Sequence, residues 1–376
     1  MSTTLTLIDD RSDAATPEVS IAAGTLGVRS RRLLGGRRDG VLLVELIAGR
    51  TRVFVLPGRG LGIWKIVSGD EELGWNSPVR GPVHPSWVPL SEPSGIGWLE
   101  GFDELVARCG LVSNGAPDFD AAGRLVHGLH GRIANLPAHE VRVVLDEATG
   151  TITLEAAVDE TRFLVHSLRM RTSLVIHADR ADVAWRDTVE NLSDRPTTMQ
   201  MLYHVNVGPP LLGPGAEVVA DVEEVAPRDA AAVPDVPSWS SYAPPLEGRG
   251  EQVHFLKLRP AADGRAAAML VAPDRKRAMK LSWLAESLPC FTLWKNQGGE
   301  ADGYVTGLEP ATNYPNPRSF EETQGRVVTL APHASITFDL AIEPFTGRHV
   351  EEEATRLRST STPKIHAAPK PGWSKG

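Results

Sequence analysis

Val41-Leu42-Leu43-Val44-Glu45-Leu46-Ile47, Arg52-Val53-Phe54-Val55-Leu56 and Leu61-Gly62-Ile63-Trp64-Lys65-Ile66-Val67 follow one another within residues 41–67. Each run is rich in β-branched and apolar residues, and Pro57-Gly58 ends the second, so all three read as strands. The connections are too short for a helical crossover, which predicts an antiparallel meander and excludes βαβ units. The same signal recurs along the chain. Leu168–Ile176 alternates polar and apolar residues, the period of a half-buried strand. Further strands are expected at 140–145, 151–155, 182–189, 198–206, 254–258, 266–271, 290–296, 326–330 and 334–340. Phe102–Arg108 has room for a helical turn or two, and 349–357 for a short helix. No long stretch has helical period, so the expected fold is all-β: a large twisted antiparallel β-sandwich with few short helices.

Length and composition set limits. The chain has 376 residues, 41% of them hydrophobic and 23% charged, which is ordinary for a globular protein. Residues 1–20 are expected to be a mobile N-terminal arm, 21–348 one β-sandwich domain, and 349–376 a short helix with a disordered tail rich in Pro, Lys and Ser. The net charge of -8 argues against a nucleic-acid-binding surface and for a neutral or small ligand. Cys109 and Cys290 are the two cysteines. That count suits a reducing cytoplasm, and the absence of a CxxC pair gives no thiolate metal site. Met1–Ser20 lacks a basic segment followed by an apolar one, so it does not read as a signal peptide. No apolar run approaches membrane-spanning length.

Three stretches carry candidate chemistry. Gly307-Leu308-Glu309-Pro310-Ala311-Thr312-Asn313-Tyr314-Pro315-Asn316-Pro317-Arg318 follows the strand-like Tyr304-Val305-Thr306. Its prolines and asparagines read as an ordered loop, with Glu309 at the strand end. Its carboxylate, amides and aromatic ring suit a small polyhydroxylated ligand. The plainer alternative is a surface carboxylate beside a turn. His130 lies in Leu129-His130-Gly131-Arg132-Ile133-Ala134-Asn135 and His204 in Leu202-Tyr203-His204-Val205-Asn206. A lone histidine in a glycine-flanked stretch such as that of His130 is more often a hydrogen-bonded structural group than a catalyst. Arg59, between Gly58 and Gly60, reads either as an oriented ligand or as a solvated residue in a hairpin turn. Lys295 and Trp294 sit in Leu293-Trp294-Lys295-Asn296. Lys295 is expected to donate to the same cleft, while Trp64 and Trp294 are each either core or stacking surface.

Taken in order, VLPGRGLGIWKI, LHGRIANLPA, LYHVNVG, LWKN and GLEPATNYPNPRSFE resemble the aldose 1-epimerases, the galactose mutarotase-like proteins, and among them a bacterial aldose 1-epimerase-like branch. The resemblance covers about residues 25–345. It implies the galactose mutarotase-like supersandwich and an isomerase that interconverts α and β anomers of a free sugar. It also implies Glu309 as general base, His204 as general acid and His130 as the histidine that holds the sugar. Arg59 matches an arginine that binds sugar hydroxyls. Arg132 stands where the family has a glycine, in HGR for HGG, and the family's substrate-specifying aspartate has no counterpart. Arg132, Asn313, Lys295 and Trp64 complete the expected substrate-binding set.

Such chemistry calls for a carboxylate with a pKa somewhat below neutrality and an imidazolium, and for no metal, cofactor or covalent intermediate. The expected partner is a small-molecule sugar, with no nucleic acid or membrane, and the chain could pair as a homodimer. Two other readings use the same residues. One is an isomerase or eliminase acting on a modified sugar or glycoside, and the other is a non-catalytic sugar-binding protein.

Overall fold

The alternation read from the sequence becomes two large sheets. The computed structural model describes residues 2–12, 15–358 and 361–375. Strands make up 47% of it. One sheet has nine strands and the other fourteen. The opening meander forms as expected, with Leu42–Ala48, Thr51–Leu56 and Gly62–Ser68 in consecutive antiparallel register (Val44 opposite Val55, Val53 opposite Ile66). His166–His177 and Val183–Asn191 belong to the nine-stranded sheet and bury every second residue over most of their length. Among the described residues the α-helices are Arg318–Thr323 and Arg348–Leu357. The second buries Val350 and Ala354, one turn apart, against Val219, Met269 and Ala278.

The main core lies between the sheets. Val143, Leu154 and Ile176 come to it from the nine-stranded sheet, and Ile63, Val205, Leu293 and Leu308 from the other. Each such side chain contributes about 1.5–3 kcal/mol on burial. A polar pin crosses this core. Arg108 donates to both carboxylate oxygens of Asp187, at 2.6 and 3.1 Å, and Tyr203 and Thr172 donate to the same carboxylate. All four side chains are buried, and the pin ties the His204 strand, Thr197–Val207, to the opposite sheet.

Several expectations are corrected. Ser2–Asp9 is not a mobile arm: it pairs with Ala138–Asp146 as an edge strand of the nine-stranded sheet, because Leu7 has core to cover. Residues 1, 13 and 14 of that arm lie outside the described residues. The tail is ordered over 361–375. Lys364–Ile365 pairs with Val222–Pro227, and Trp373 packs on Tyr314. Residues 359, 360 and 376 lie outside the description. Phe102–Arg108 holds no helical turn; a short 3₁₀ turn at Gly97–Gly101 precedes the strand Val106–Leu111. Glu309 does not begin a loop either. It lies within the strand Val305–Ala311, which continues through Pro310. That strand pairs without a break with Cys290–Asn296, whereas its ladder with the His204 strand lapses between Leu202–Ala311 and Val205–Leu308. Proline has no N–H to donate, and the lapse falls at its position.

Candidate active site

That lapse in the ladder is where the site lies. By the register on either side of it, His204 stands opposite Glu309, and Glu309 stands opposite Thr292. Ala107 pairs with His204 on the other side. Opposed residues of neighbouring strands share a face, so Ala107, His204, Glu309 and Thr292 form one row across the outer face of the fourteen-stranded sheet. Asn206, Gly307 and Trp294 form the next row.

His204 Nε2 lies 3.1 Å from Glu309 Oε1, and both side chains are buried. Gly307 makes room for them. A Cβ there would come within 2.5 Å of Glu309 Oε1 and 2.9 Å of His204 Cε1. Hydrogen bonding fixes the His204 tautomer. Asn206 Nδ2 donates to the carbonyls of Glu104 and His204, so its Oδ1 faces His204 Nδ1 at 2.5 Å and accepts from it. Nδ1 therefore carries a proton. Nε2 lies 3.1 Å from the Glu309 carboxyl, with no aligned hydrogen bond between them.

Burial decides where the next proton sits. Desolvation pushes the Glu309 carboxyl well above its usual range, with help from the charge of Glu251 and against that of Arg228. Desolvation holds His204 well below its ordinary value, with help from His130, although the Asn206 bond opposes this. Both shifts favour a neutral pair, a protonated Glu309 beside a neutral His204. The expected carboxylate and imidazolium are thereby corrected as a resting state: the low polarity that the sheet imposes disfavours both charges.

His130 completes the cluster. Its ring centroid is 5.3 Å from that of His204, at 86°. Its Nδ1 donates to the carbonyl of Asn114 at 2.9 Å, leaving Nε2 as an acceptor. Desolvation lowers its pKa to about 4 despite that bond. The residue itself has a φ of +57°. Gly131 follows at +70°, where a side chain would meet the Ser113 carbonyl at 2.0 Å. Aromatic rings close over the histidines. Trp98 lies 4.6 Å from His130, and Phe102 and Trp294 lie 5.0 and 5.4 Å from His204. Trp294 donates from Nε1 to Glu251 at 2.7 Å, and Glu251 also holds Arg228.

Glu309, His204 and His130 thus converge; the other expected residues do not reach the pair. Lys295 faces the opposite side of the sheet, because successive strand residues alternate and Trp294 takes the site face. Its ammonium is buried against Asp235 at 2.5 Å and over Tyr242. Arg59 is fully buried and committed to Glu104, Asn135 and the Gly101 carbonyl. It anchors the turn that carries Trp98 and Phe102 and presents no donors to a ligand. Arg132 acts on Glu160 and His166 instead: burial raises the Glu160 carboxyl to about 7 and lowers His166, and the Arg132 charge pulls both down. Asn313 forms a reciprocal amide pair with Asn114, at 2.9 Å each way, and so supports the carbonyl that holds His130. Trp64 packs edge-on to Phe54 at 6.5 Å, in a different cluster. Among the described residues no three His, Cys, Asp or Glu side chains converge as metal ligands. No helix among them is long and apolar enough to cross a membrane.

Sequence reading passed over Phe102, Asn206, Thr292, Gly307 and Glu251. The period-2 rule offered a signal for three of them: Asn206 lies two residues from His204, Gly307 two from Glu309, and Thr292 two from Trp294. A surface cleft of about 540 Å³, along Leu7, Arg32, Pro57 and His84, includes none of the site residues.

Comparison with known proteins agrees with this architecture. A proposed aldose 1-epimerase from Klebsiella pneumoniae superposes with a TM-score of 0.92 at 27% identity, covering 98% of this chain and 99% of that one. A galactose mutarotase-like protein from Clostridium acetobutylicum gives 0.58 at 13% identity, over 86% and 100% of the two chains. The galactose 1-epimerase of Lactobacillus acidophilus gives 0.55 at 13% identity, over 86% and 100%. The fold is therefore that of the galactose mutarotase-like proteins. No curated protein matches the chain. Residues 38–343 match the model of a domain of unknown function, DUF4432, and the chain belongs to that family.

Proposed function

We propose that the chain is an aldose 1-epimerase-like isomerase that interconverts the α and β anomers of a free sugar. The observation that carries this is the His204–Glu309 pair. Its two titratable groups lie 3.1 Å apart in an apolar enclosure. Mutarotation removes a proton from the anomeric hydroxyl O1 and delivers one to the ring oxygen O5, two atoms bonded to the same carbon. Two adjacent groups that hold one proton between them can serve both atoms at once.

In the active form the proton lies on His204 Nε2, and the sugar's hydroxyls stabilise the Glu309 carboxylate. Glu309 then takes the O1 proton while His204 gives its proton to O5, and the C1–O5 bond breaks. The open-chain aldehyde faces a protonated Glu309 and a neutral His204, the resting state of the pair. Rotation about C1–C2 exposes the other carbonyl face. The same transfers in reverse close the ring, and the pair regains its starting protonation. His130 Nε2 accepts a hydroxyl proton of the sugar and orients it. Trp294 offers an apolar ring face at the mouth.

The test is NMR of freshly dissolved α-anomers with purified protein, across hexoses, pentoses and deoxysugars. Anomer exchange faster than in buffer is expected for at least one sugar, with no deuterium entering C2 from D₂O. Absence of exchange throughout the panel sinks the proposal. Deuterium at C2 points instead to an isomerase or eliminase that takes a proton from carbon.

A further inference from the structure

Thr292 stands beside Glu309 in the same row and is unused by the chemistry above. Its side chain is 1% exposed, and its Oγ1 has no protein hydrogen-bond partner among the described residues. A buried hydroxyl is ordinarily paired, so one left open at a site marks a place for a ligand group. Glu309 Oε1 is also without an aligned partner, despite its contact with His204, and so is Trp98 Nε1.

The row gives these atoms an order. His204, Glu309 and Thr292 come from three adjacent strands, spaced by about 4.8 Å per strand. A pyranose ring held with O5 toward His204 and O1 toward Glu309 continues through C1 to C2 in the same direction. We propose that Thr292 Oγ1 binds the C2 hydroxyl and makes it the substituent that this protein selects. The inference rests on the anomer-exchange reading above. Beyond Thr292 the row meets Phe255, which is buried beside Val253 and Cys290. Thr292 therefore supplies one neutral hydroxyl, and the wall behind it is apolar. That wall suits a hydroxyl at C2 and opposes a charged or bulky group there.

The experiment uses the full chain, the best sugar of the anomer panel and that sugar's 2-deoxy counterpart. Wild type is expected to prefer the 2-hydroxy sugar in kcat/KM by about tenfold or more. Thr292→Val keeps the branched shape without the hydroxyl. It should lower kcat/KM for the 2-hydroxy sugar about 3- to 10-fold, the worth of one neutral hydrogen bond, and leave the 2-deoxy sugar unchanged. Thr292→Ser should restore the preference. Equal effects on both sugars, or none, overturn the proposal while the isomerase reading stands. If wild type exchanges no anomers, that reading fails separately. Binding of the same sugar pair by saturation-transfer NMR then decides the role of Thr292: loss of 2-hydroxy selectivity in Thr292→Val supports it, and equal binding of both sugars, or of neither, overturns it.

Discussion

Trp294 and Lys295 are neighbours in sequence, yet they serve two different buried clusters on opposite faces of one sheet. On Lys295's face, Asp235 accepts from Lys295 at 2.5 Å and from His254 at 3.0 Å, with Arg249 3.5 Å away. Burial would raise the Asp235 pKa, but the bonds from His254 and Lys295 outweigh it and hold the carboxyl below its usual value. Charge is matched by charge there, and the cluster fastens the 3₁₀ turn Val233–Ser238 to the sheet. On Trp294's face, Glu309 has His204 at 3.1 Å, and the charge of Arg228 does not outweigh desolvation. Burial therefore disfavours both charges of the pair. The first arrangement pairs its charges and fastens a turn; the second sets two titratable groups side by side whose charges burial disfavours, which suits proton transfer.

The contrast can be broken first on the structural side. Lys295→Met leaves Asp235 short of its principal cation in a buried place. Stability should fall by about 3–5 kcal/mol, read by denaturant titration. A change under 1 kcal/mol would show that the cluster fastens nothing.

The next effect is catalytic. Glu309→Gln should slow anomer exchange by on the order of 10²-fold or more, with sugar binding little changed. The same variant should be more stable than wild type above neutrality. A carboxyl whose folded pKa is raised loses stability as pH climbs above the ordinary 4.5 toward the folded value. Melting temperatures at pH 4.5 and pH 8 test this, and an advantage for the variant that fails to grow with pH refutes it.

Gly307→Ala is a milder perturbation. The new Cβ would lie 2.5 Å from Glu309 Oε1, so the pair must separate. A rate loss of about tenfold is expected, since displacements near 1 Å cost up to about 10²-fold. A wild-type rate would mean that the 3.1 Å contact is dispensable.

The smallest effect is a pH dependence of stability. His130 has a folded pKa of about 4 against an ordinary 6.5. Its neutral form is stabilising above 6.5, and that contribution is lost as pH falls from 6.5 toward 4. His130→Asn should flatten the stability profile in that window and leave it unaltered above it. For exchange itself, the pair predicts a bell-shaped profile belonging to both groups together, with the acidic limb following His204 and the alkaline limb Glu309. That order reverses the one expected from a carboxylate base and an imidazolium acid.

Much of this was legible in the residues. Strand positions followed from alternation and Gly-Pro punctuation, as in Leu42–Ala48 and Thr51–Leu56. Glu309, His204 and His130 were identifiable because ionisable groups stood out in otherwise apolar or glycine-flanked stretches. Arg59 and Lys295 were misread because a long cation in a strand or turn looks the same from sequence whether it meets a ligand or a buried carboxylate. Their partners Glu104 and Asp235 lie 45 and 60 residues away. Pro310 was read as ending a strand, whereas its missing N–H interrupts one ladder and spares the other.

By itself, then, the sequence determined the β architecture and the parity within each strand: Thr292 had to share a face with Trp294, and Lys295 had to oppose it. Only the tertiary structure decided which face held the site, which cations were already matched, and where the proton rests between His204 and Glu309. The physical reason is range. Backbone period and turn chemistry act over a few neighbouring residues, whereas desolvation and charge pairing are set by every strand and loop packed around a group.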